Sequence, residues 1–288
     1  MDYKRIVLLG AGGQLASDLE MVIPKEKLFP LQEVDLDICD HQKTREIIAD
    51  LKPDLLINTA AFVRVDDCEE QEEKAFQVNA IAVKNIAQIC QDLNSTLVQI
   101  STDYVFDGEK GEPYTEVDLP NPISVYGASK LAGENFALNY CQKTLVVRSS
   151  GLYGQAGSLG KGGNFVETMI KMAHEGKTIR VVDDQILTPT YTVDLAEALM
   201  ALIGTGAYGI FHLTNQGSCS WYEFAAEIFK LIDIQAQLTP IPTSQYPTPA
   251  RRPRNSTLES QQIDQLAGHK HLPLWQDALR TYLTVREN

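Results

Sequence analysis

Ile6-Val7-Leu8-Leu9-Gly10-Ala11-Gly12-Gly13-Gln14-Leu15-Ala16 is the stretch on which the reading of the whole chain turns. Four apolar residues run without interruption into a glycine-rich turn, and a helical segment follows. A short continuous apolar run suits a strand buried on both faces. Glycines directly after it let the backbone approach a pyrophosphate, which the free N–H groups and positive dipole end of the next helix attract. Ala16 stands where glycine is commoner, and a methyl still allows close helix–strand packing. An ordinary strand-to-helix turn could also use such glycines. What favours dinucleotide binding is the place of the turn at the start of a repeating strand–helix pattern.

That pattern continues outward. Further apolar runs occur at Leu28-Phe29-Pro30-Leu31, Leu55-Leu56-Ile57, Leu97-Val98-Gln99-Ile100 and Leu145-Val146-Val147. Between them lie helix-length amphipathic stretches. From Ala75 to Leu93, for example, Ala75, Val78, Ala82, Ile86 and Ile89 fall on one face. Strands separated by helices make a parallel sheet with right-handed crossovers. After about residue 150 the rhythm changes, with six glycines between Gly151 and Gly163 marking a loop. A helix is expected at about 164–175, a strand at 179–182, a helix at 194–203 and a strand at 209–213. Ser220 opens a further helix, in which Trp221 and Phe224 read as core anchors. Pro240 to Pro253 is expected to be loop, because proline supplies no N–H to a ladder. The fold class is therefore α/β, a Rossmann-type doubly wound parallel sheet with a smaller, discontinuous α/β substrate domain. The expected division is 1–150 with 189–214 for the dinucleotide and 151–188 with 215–288 for the substrate.

Composition narrows the function. The 288 residues, 44% hydrophobic and 22% charged, are those of a globular chain with a substantial core. No apolar run approaches the roughly 20 residues of a membrane span, so no membrane partner is expected. A net charge of −13 opposes binding to a polyanion such as nucleic acid. The five cysteines form no CxxC pair, and the N-terminal run shows no basic region followed by a small-residue cleavage site. Reduced thiols and a cytoplasmic location are expected. The one close histidine pair, His269-Lys270-His271, reads as a solvated loop, and no metal is expected.

The chemistry is concentrated in Tyr126-Gly127-Ala128-Ser129-Lys130, which puts a phenol and an ammonium four residues apart on one helix face. A phenol with its pKa near 10 needs a nearby cation to exchange protons readily at neutral pH. Twenty-four residues upstream, Ser101-Thr102-Asp103-Tyr104 ends a strand, where open α/β sheets bind ligands. Glu33, twenty residues after Gly13 and without a basic neighbour, favours a free ribose 2′-hydroxyl and so NAD.

Glycine turn, strand-end threonine and YxxxK together resemble the extended short-chain dehydrogenase/reductase superfamily, and within it the dTDP-4-dehydrorhamnose reductase family. The resemblance runs from Lys4 to about Leu283. It rests on Asp35-Leu36-Asp37-Ile38, Asn58-Thr59-Ala60-Ala61 with Val65-Asp66, Ser101 to Gly108, and Tyr126 to Gly133 with Glu134. Gly163-Asn164-Phe165-Val166, Asp184-Gln185 with Thr188-Pro189-Thr190, Arg252-Pro253 and Leu272-Pro273-Leu274-Trp275 complete it. It implies Thr102, Tyr126 and Lys130 as the catalytic set and NAD(H) or NADP(H) as cofactor. Gly10, Gly13, Gln14 and Leu15 would hold the pyrophosphate, Asp37 and Ile38 the adenine, and Ala60 and Ala61 the ribose side. Asn79, Tyr126 and Lys130 would complete the cofactor site. Thr102, Asp103, Tyr104, Asn164, Gln185, Thr190 and Arg252 would meet a dTDP-sugar. The Arg251-Arg252-Arg254 cluster suits its diphosphate, since guanidinium forks match phosphate oxygens. The expected oligomeric state is monomer or homodimer.

Two departures stand out. Arg148-Ser149-Ser150-Gly151 replaces an Arg-Thr-Ser-Trp string, so either the sugar pocket is wider or another aromatic, Tyr153 being nearest, fills it. Ala60-Ala61-Phe62-Val63 replaces Ala-Ala-Tyr-Thr. Two other functions remain open. A sugar-nucleotide dehydratase or epimerase would use the same scaffold, although a dehydratase usually carries Asp-Glu after the threonine where this chain has Asp103-Tyr104. A non-catalytic regulatory subunit, similar to the beta subunit of methionine adenosyltransferase, would bind dinucleotide without turnover.

Overall fold

In the computed structural model, which describes residues 3–156, 163–266 and 271–286, the apolar runs become strands of one parallel sheet. These are β1 (Ile6–Leu9), β2 (Leu28–Leu31), β3 (Leu55–Asn58), β4 (Thr96–Thr102) and β5 (Thr144–Ser149). Between them lie α1 (Gln14–Val22), α2 (His41–Leu51), α3 (Val65–Glu70), α4 (Glu72–Phe76), α5 (Ala82–Asp92) and α6 (Val125–Tyr140). There follow β6 (Leu152–Tyr153), α7 (Phe165–His174), β7 (Ile179–Val182), β8 (Ile186–Leu187), β9 (Thr190–Tyr191) and α8 (Thr192–Thr205). The chain ends with β10 (Gly209–His212), β11 (Cys219–Ser220), α9 (Trp221–Leu231), β12 (Leu238–Ile241) and α10 (Trp275–Arg286).

The six-stranded sheet has the order β10-β5-β4-β3-β1-β2, with every pairing parallel. Strand order reverses between β1 and β3, which opens a crevice beyond their carboxyl ends. Although each run is continuously apolar, the pleat sends alternate residues to opposite faces. Ile6, Leu8, Ile57, Val98 and Val147 pack on α1 and α8 through Leu15, Leu19, Leu195 and Leu199. Val7, Leu9, Leu56, Leu97 and Val146 pack on the other side against Ile48, Val83, Ile86 and Ala137. A further apolar cluster joins α7, α9, α10 and β7 around Phe224, Ile228, Val166 and Leu279, with Trp221 against its edge. The Ser220 side chain and Glu223 close a reciprocal capping box at the start of α9.

Two expectations need correction. The helix read from Ala75 to Leu93 is interrupted: Gln77–Ile81 forms a π turn between α4 and α5, a local widening that often marks a site. The expected loop from Pro240 to Pro253 begins inside β12, which pairs in parallel with β7 so that Pro240 stands opposite Val181. A two-stranded sheet leaves each strand one unpaired side, where a missing N–H costs nothing. Among the described residues no helix is long and apolar enough to cross a membrane. All five cysteine thiols are free.

Candidate active site

The turn after β1 folds as a cradle. Gly10 takes φ +82°, and a Cβ there would lie 2.7 Å from the backbone nitrogen of Ala60. The N–H groups of Gly10 and Ala11 both donate to the carbonyl of Leu31, at 3.1 Å each. Gly13 is the N-cap of α1 and no side chain caps that helix. The first N–H groups of a helix have no partner within it, so those of Gln14 and Leu15 fit an anionic pyrophosphate. Only the backbone of Leu15 can serve there, because its side chain belongs to the core beneath the sheet. Among the described residues Gln14 Oε1 is buried without a hydrogen-bond partner, a second sign that this turn is shaped for a ligand.

Beyond β2, of the two residues expected at the adenine, Asp37 is exposed and Ile38 sends its side chain into the sheet core. Burial and the neighbouring Asp37 push the Cys39 thiol up to about 11; Glu33 adds to this and Lys74 opposes it. Lys74, on α4, therefore shares the surroundings of Glu33, although forty-one residues separate them. The Asn58 carboxamide accepts from the N–H of Ala60 (3.1 Å) and donates to Gln99 (2.8 Å). Asn79, on the π turn and 1% exposed, is a clamp. It accepts from the Phe62 N–H at 2.8 Å and donates to the Phe62 carbonyl at 3.1 Å and to Ser129 at 3.0 Å. Its amide holds the chain after β3 against α6.

The three candidate catalytic residues converge at the carboxyl end of β4. Thr102 is the last residue of β4, and α6, capped by Ser124, carries Tyr126 and Lys130. The Tyr126 ring meets the Tyr104 ring edge-on at 5.9 Å. Burial lifts the Tyr126 phenol above the ordinary tyrosine range, while a hydrogen bond with Thr102 draws it back down. Burial lowers the Lys130 ammonium to about 8, and Glu134 one helical turn on opposes that. Lys130 Nζ donates to the Ile100 carbonyl at 2.7 Å. The lysine-driven lowering of the phenol expected from the spacing is not among the causes of its shift, which burial dominates.

Beneath these residues lies a network that spacing did not reveal. Arg148 forks onto Glu134 at 2.7 and 2.9 Å, both side chains 1% exposed, and Ser101 donates to the same carboxylate at 2.5 Å. Arg148 Nη1 also approaches His212 Nε2 at 3.5 Å, and burial and Arg148 lower that imidazole to about 3. Glu134 was legible only as part of a string, and Arg148 only as the start of a departing one.

The expected substrate residues divide. Arg252 forks onto Asp66 at 2.8 and 3.1 Å, and its charge acts on the buried Tyr104 phenol. Arg251 and Arg254 are exposed, whereas Arg252 is half-buried. Asn164 caps α7 by accepting from the Glu167 N–H at 2.9 Å, and its amide nitrogen donates to Gly154 at 2.8 Å and Tyr282 at 3.2 Å. Gln185 donates to Thr243 at 3.0 Å, and Thr190, fully buried, donates to the Thr188 carbonyl at 3.2 Å. Asp103 is buried among hydroxyls. At Gly151, φ is +56° and a Cβ would lie 2.7 Å from Leu187 and 3.1 Å from Pro189 Cα. Tyr153 does not fill a sugar pocket; it is fully buried between Tyr191, Phe224 and Tyr282. Of the histidine pair, His269 lies outside the described residues, and His271 bonds Asp264 at 2.7 Å on the surface.

A tyrosine and a lysine on one helix face, opening on the strand ends of a doubly wound sheet, define a short-chain dehydrogenase/reductase of the extended class. Comparison with known proteins narrows the class. The chain matches the family described as RmlD substrate binding domain over residues 4–287, and it belongs to that family. It is 36% identical to dTDP-4-dehydrorhamnose reductase of Aggregatibacter actinomycetemcomitans, covering 98% of this chain and 99% of that one. It is 37% identical to a spore coat polysaccharide biosynthesis protein of Bacillus subtilis, covering 99% and 98%. Among solved structures, dTDP-4-dehydrorhamnose reductase of Bacillus anthracis in complex with NADP superimposes with a TM-score of 0.94. That match is at 36% identity and covers 99% of this chain and 100% of that one.

Proposed function

We propose that this chain is an NAD(P)H-dependent reductase of the 4-keto group of a dTDP-6-deoxy sugar, converting dTDP-4-dehydro-L-rhamnose to dTDP-L-rhamnose. The observation that carries the reading is the meeting of Tyr126, Thr102 and Lys130 at the carboxyl end of β4 in a chain similar over its whole length to such reductases. A bound reduced nicotinamide would supply the hydride that adds to C4. Tyr126 gives its phenolic proton to the developing alkoxide, and its raised pKa keeps that proton in place until charge appears on the substrate. Lys130 supplies a positive charge one helical turn away, which stabilises the phenolate left behind. Gly10, Gly13 and the first N–H groups of α1 hold the pyrophosphate, and Arg252 offers its guanidinium to the substrate diphosphate. Free thiols and a dTDP-sugar substrate fit a cytoplasmic enzyme acting as a monomer or homodimer.

The test is loss of reduced-nicotinamide absorbance when the purified protein meets dTDP-4-dehydrorhamnose, with the UDP- and GDP-linked 4-keto sugars as competitors. Turnover with dTDP-4-dehydrorhamnose is expected. Binding of dinucleotide with no turnover of any 4-keto sugar would favour a regulatory subunit instead.

A further inference from the structure

Tyr126, the proposed proton donor, stands in the first turn of α6, two residues after the Ser124 cap. The first N–H groups of a helix have no partner within it, and helix ends fray unless outside groups satisfy them. Here the turn is held from three sides. The Ser124 hydroxyl accepts from the Gly127 N–H at 3.2 Å. Gly127 itself lies against the Tyr104 carbonyl, so close that no Cβ would fit. The third hold comes from another helix: Glu69 Oε1 accepts from the Val125 N–H at 2.8 Å, fifty-six residues away in sequence. Glu69 lies on α3, three residues after Asp66, so the two carboxylates share one face of that helix. Asp66 forks onto Arg252. One short helix thus ties the segment that carries Arg252 to the turn that carries Tyr126.

We infer that Glu69 is a positioning residue: by accepting the Val125 N–H it fixes the first turn of α6 and, with it, the Tyr126 phenol. The inference rests on the proposed reductase reading, in which Tyr126 gives the proton. Ser124 accepts from Gly127 rather than from Val125, which leaves the Val125 N–H to Glu69. A carboxylate suits that place, because hydrogen bonds to an ionised acceptor are shorter and stronger than those between neutral groups. Negative charge is also favoured at the N-terminal end of a helix dipole. A misplacement of about 1 Å can cost a reacting group on the order of 10²-fold in rate, so a hold on this turn acts on kcat.

Two substitutions remove the contact from opposite sides. Glu69→Ala deletes the acceptor. Val125→Pro deletes the donor and keeps the helix, since proline suits the first helical position and the extended Ser124 backbone, at φ −136° and ψ 157°, tolerates a proline after it. Each is expected to lower kcat about fivefold, with KM for the sugar nucleotide nearly unchanged because Asp66 still holds Arg252. Glu69→Gln keeps an acceptor oxygen and should restore most of the loss. In the Val125→Pro background Glu69→Ala should change kcat by less than about twofold, because no contact remains to be removed. Amide hydrogen exchange at Val125, followed by NMR without substrate, should be about fivefold faster in Glu69→Ala than in the parent, the usual worth of a lost helix cap. The inference fails if that exchange is unchanged, if the two effects on kcat multiply, or if the Gln protein is as slow as the Ala protein. A fall in melting temperature with unchanged kcat would mean a merely structural role, and a rise in KM matching the fall in kcat a displacement of all of α3; either overturns it. Rates are taken on whichever 4-keto sugar nucleotide the parent reduces, dTDP-, UDP- or GDP-linked. A different nucleotide thus overturns the substrate reading alone, and reduction of none overturns both.

Discussion

Arg252 and Asp66 form a two-pronged pair, guanidinium nitrogens 2.8 and 3.1 Å from the two carboxylate oxygens. Asp66 lies on α3 and Arg252 in the segment after β12, 186 residues apart in sequence. The Ala250 N–H donates to the same carboxylate at 3.1 Å. Arg252 is the one arginine of its cluster that is not exposed, so this pair aims the cation on which diphosphate recognition would depend.

Asp66→Asn is therefore expected to act on binding more than on chemistry. Burial alone would raise the Asp66 carboxyl, but the hydrogen bonds from Arg252 and Ala250 more than offset it and leave it below the ordinary aspartate value. The pair thus persists at neutral pH, and what it contributes to folding is lost only as pH falls through that depressed value. The expected result is a rise in KM for the sugar nucleotide of about two- to fivefold, the worth of one charge pair at a partly exposed site, with kcat changed less than about twofold. Steady-state kinetics decide it; an unchanged KM would mean that Arg252 does not meet the diphosphate.

Tyr126→Phe should leave cofactor affinity nearly intact and lower turnover by a factor on the order of 10² to 10⁴, the usual worth of a positioned general acid. Calorimetric titration with NADPH and single-turnover reduction separate the two effects. Near-normal reduction by the Phe protein would refute the role.

Lys130 predicts a pH signature in the absence of ligand. Its folded pKa is about 8, whereas an unfolded lysine titrates near 10.4. Below about 8 both states hold the proton; between the two values only the unfolded chain does, so stability rises with pH across that window. Melting temperatures of the parent and Lys130→Met proteins, measured from neutral to alkaline pH, should show the parent gaining on the variant as pH rises through that window. In the same variant both turnover and cofactor binding should fall, because a charge beside the phenol is removed.

How much of this was legible in the sequence follows from what is local. The six sheet strands and the α6 pair of Tyr126 and Lys130 could be read because pleat and helix place nearby residues regularly. The interruption at Gln77–Ile81 could not, since the partners of Asn79 there are Phe62, seventeen residues away, and Ser129, fifty residues away. Pairing of Asp66 with Arg252, of Glu134 with Arg148 and of Asp103 with Ser256 depends on tertiary approach, so each residue was visible but its partner was not. Asn164, Gln185 and Thr190 stood in the strings of the resemblance; each also hydrogen-bonds within the protein. Only coordinates separate a residue that touches a ligand from one that shapes the wall.

Glu33 and Lys74 act in opposite senses on the Cys39 thiol, and a role for both beside the cofactor ribose makes a testable prediction. An acidic residue favours the free 2′-hydroxyl of NADH, and a cation favours the 2′-phosphate of NADPH. With both present, NADH should be accepted and kcat/KM for the two cofactors should agree within about tenfold, or 1.4 kcal/mol. Lys74→Glu should shift the ratio towards NADH by lowering kcat/KM for NADPH alone. A parent preference for NADPH far above tenfold would show that Glu33 does not face the ribose.

Gly151 is the last test, because the structure reverses the expectation attached to it. Restoring the tryptophan of the resembling family would narrow a wide sugar pocket only if a side chain could stand there. The left-handed φ of +56° costs an L-residue roughly 1–2 kcal/mol before any contact is counted. A Cβ would also lie 3.1 Å from Pro189 Cα and 3.2 Å from the Thr188 carbonyl, backbone atoms that cannot rotate away as the Leu187 methyl at 2.7 Å can. Gly151→Ala is therefore expected to lose about 1–2 kcal/mol of stability, and Gly151→Trp more, since an indole needs space beyond that of a methyl. Thr102, Tyr126 and Lys130 are untouched, so turnover of the folded fraction should persist with an unchanged preference among 4-keto sugars. Urea unfolding of the three proteins, with relative kcat/KM on dTDP-4-dehydrorhamnose and other 4-keto sugar nucleotides, measures both quantities. A Trp variant as stable as its parent and narrower in substrate range would show that the segment after β5 can open to seat the ring beside the sugar.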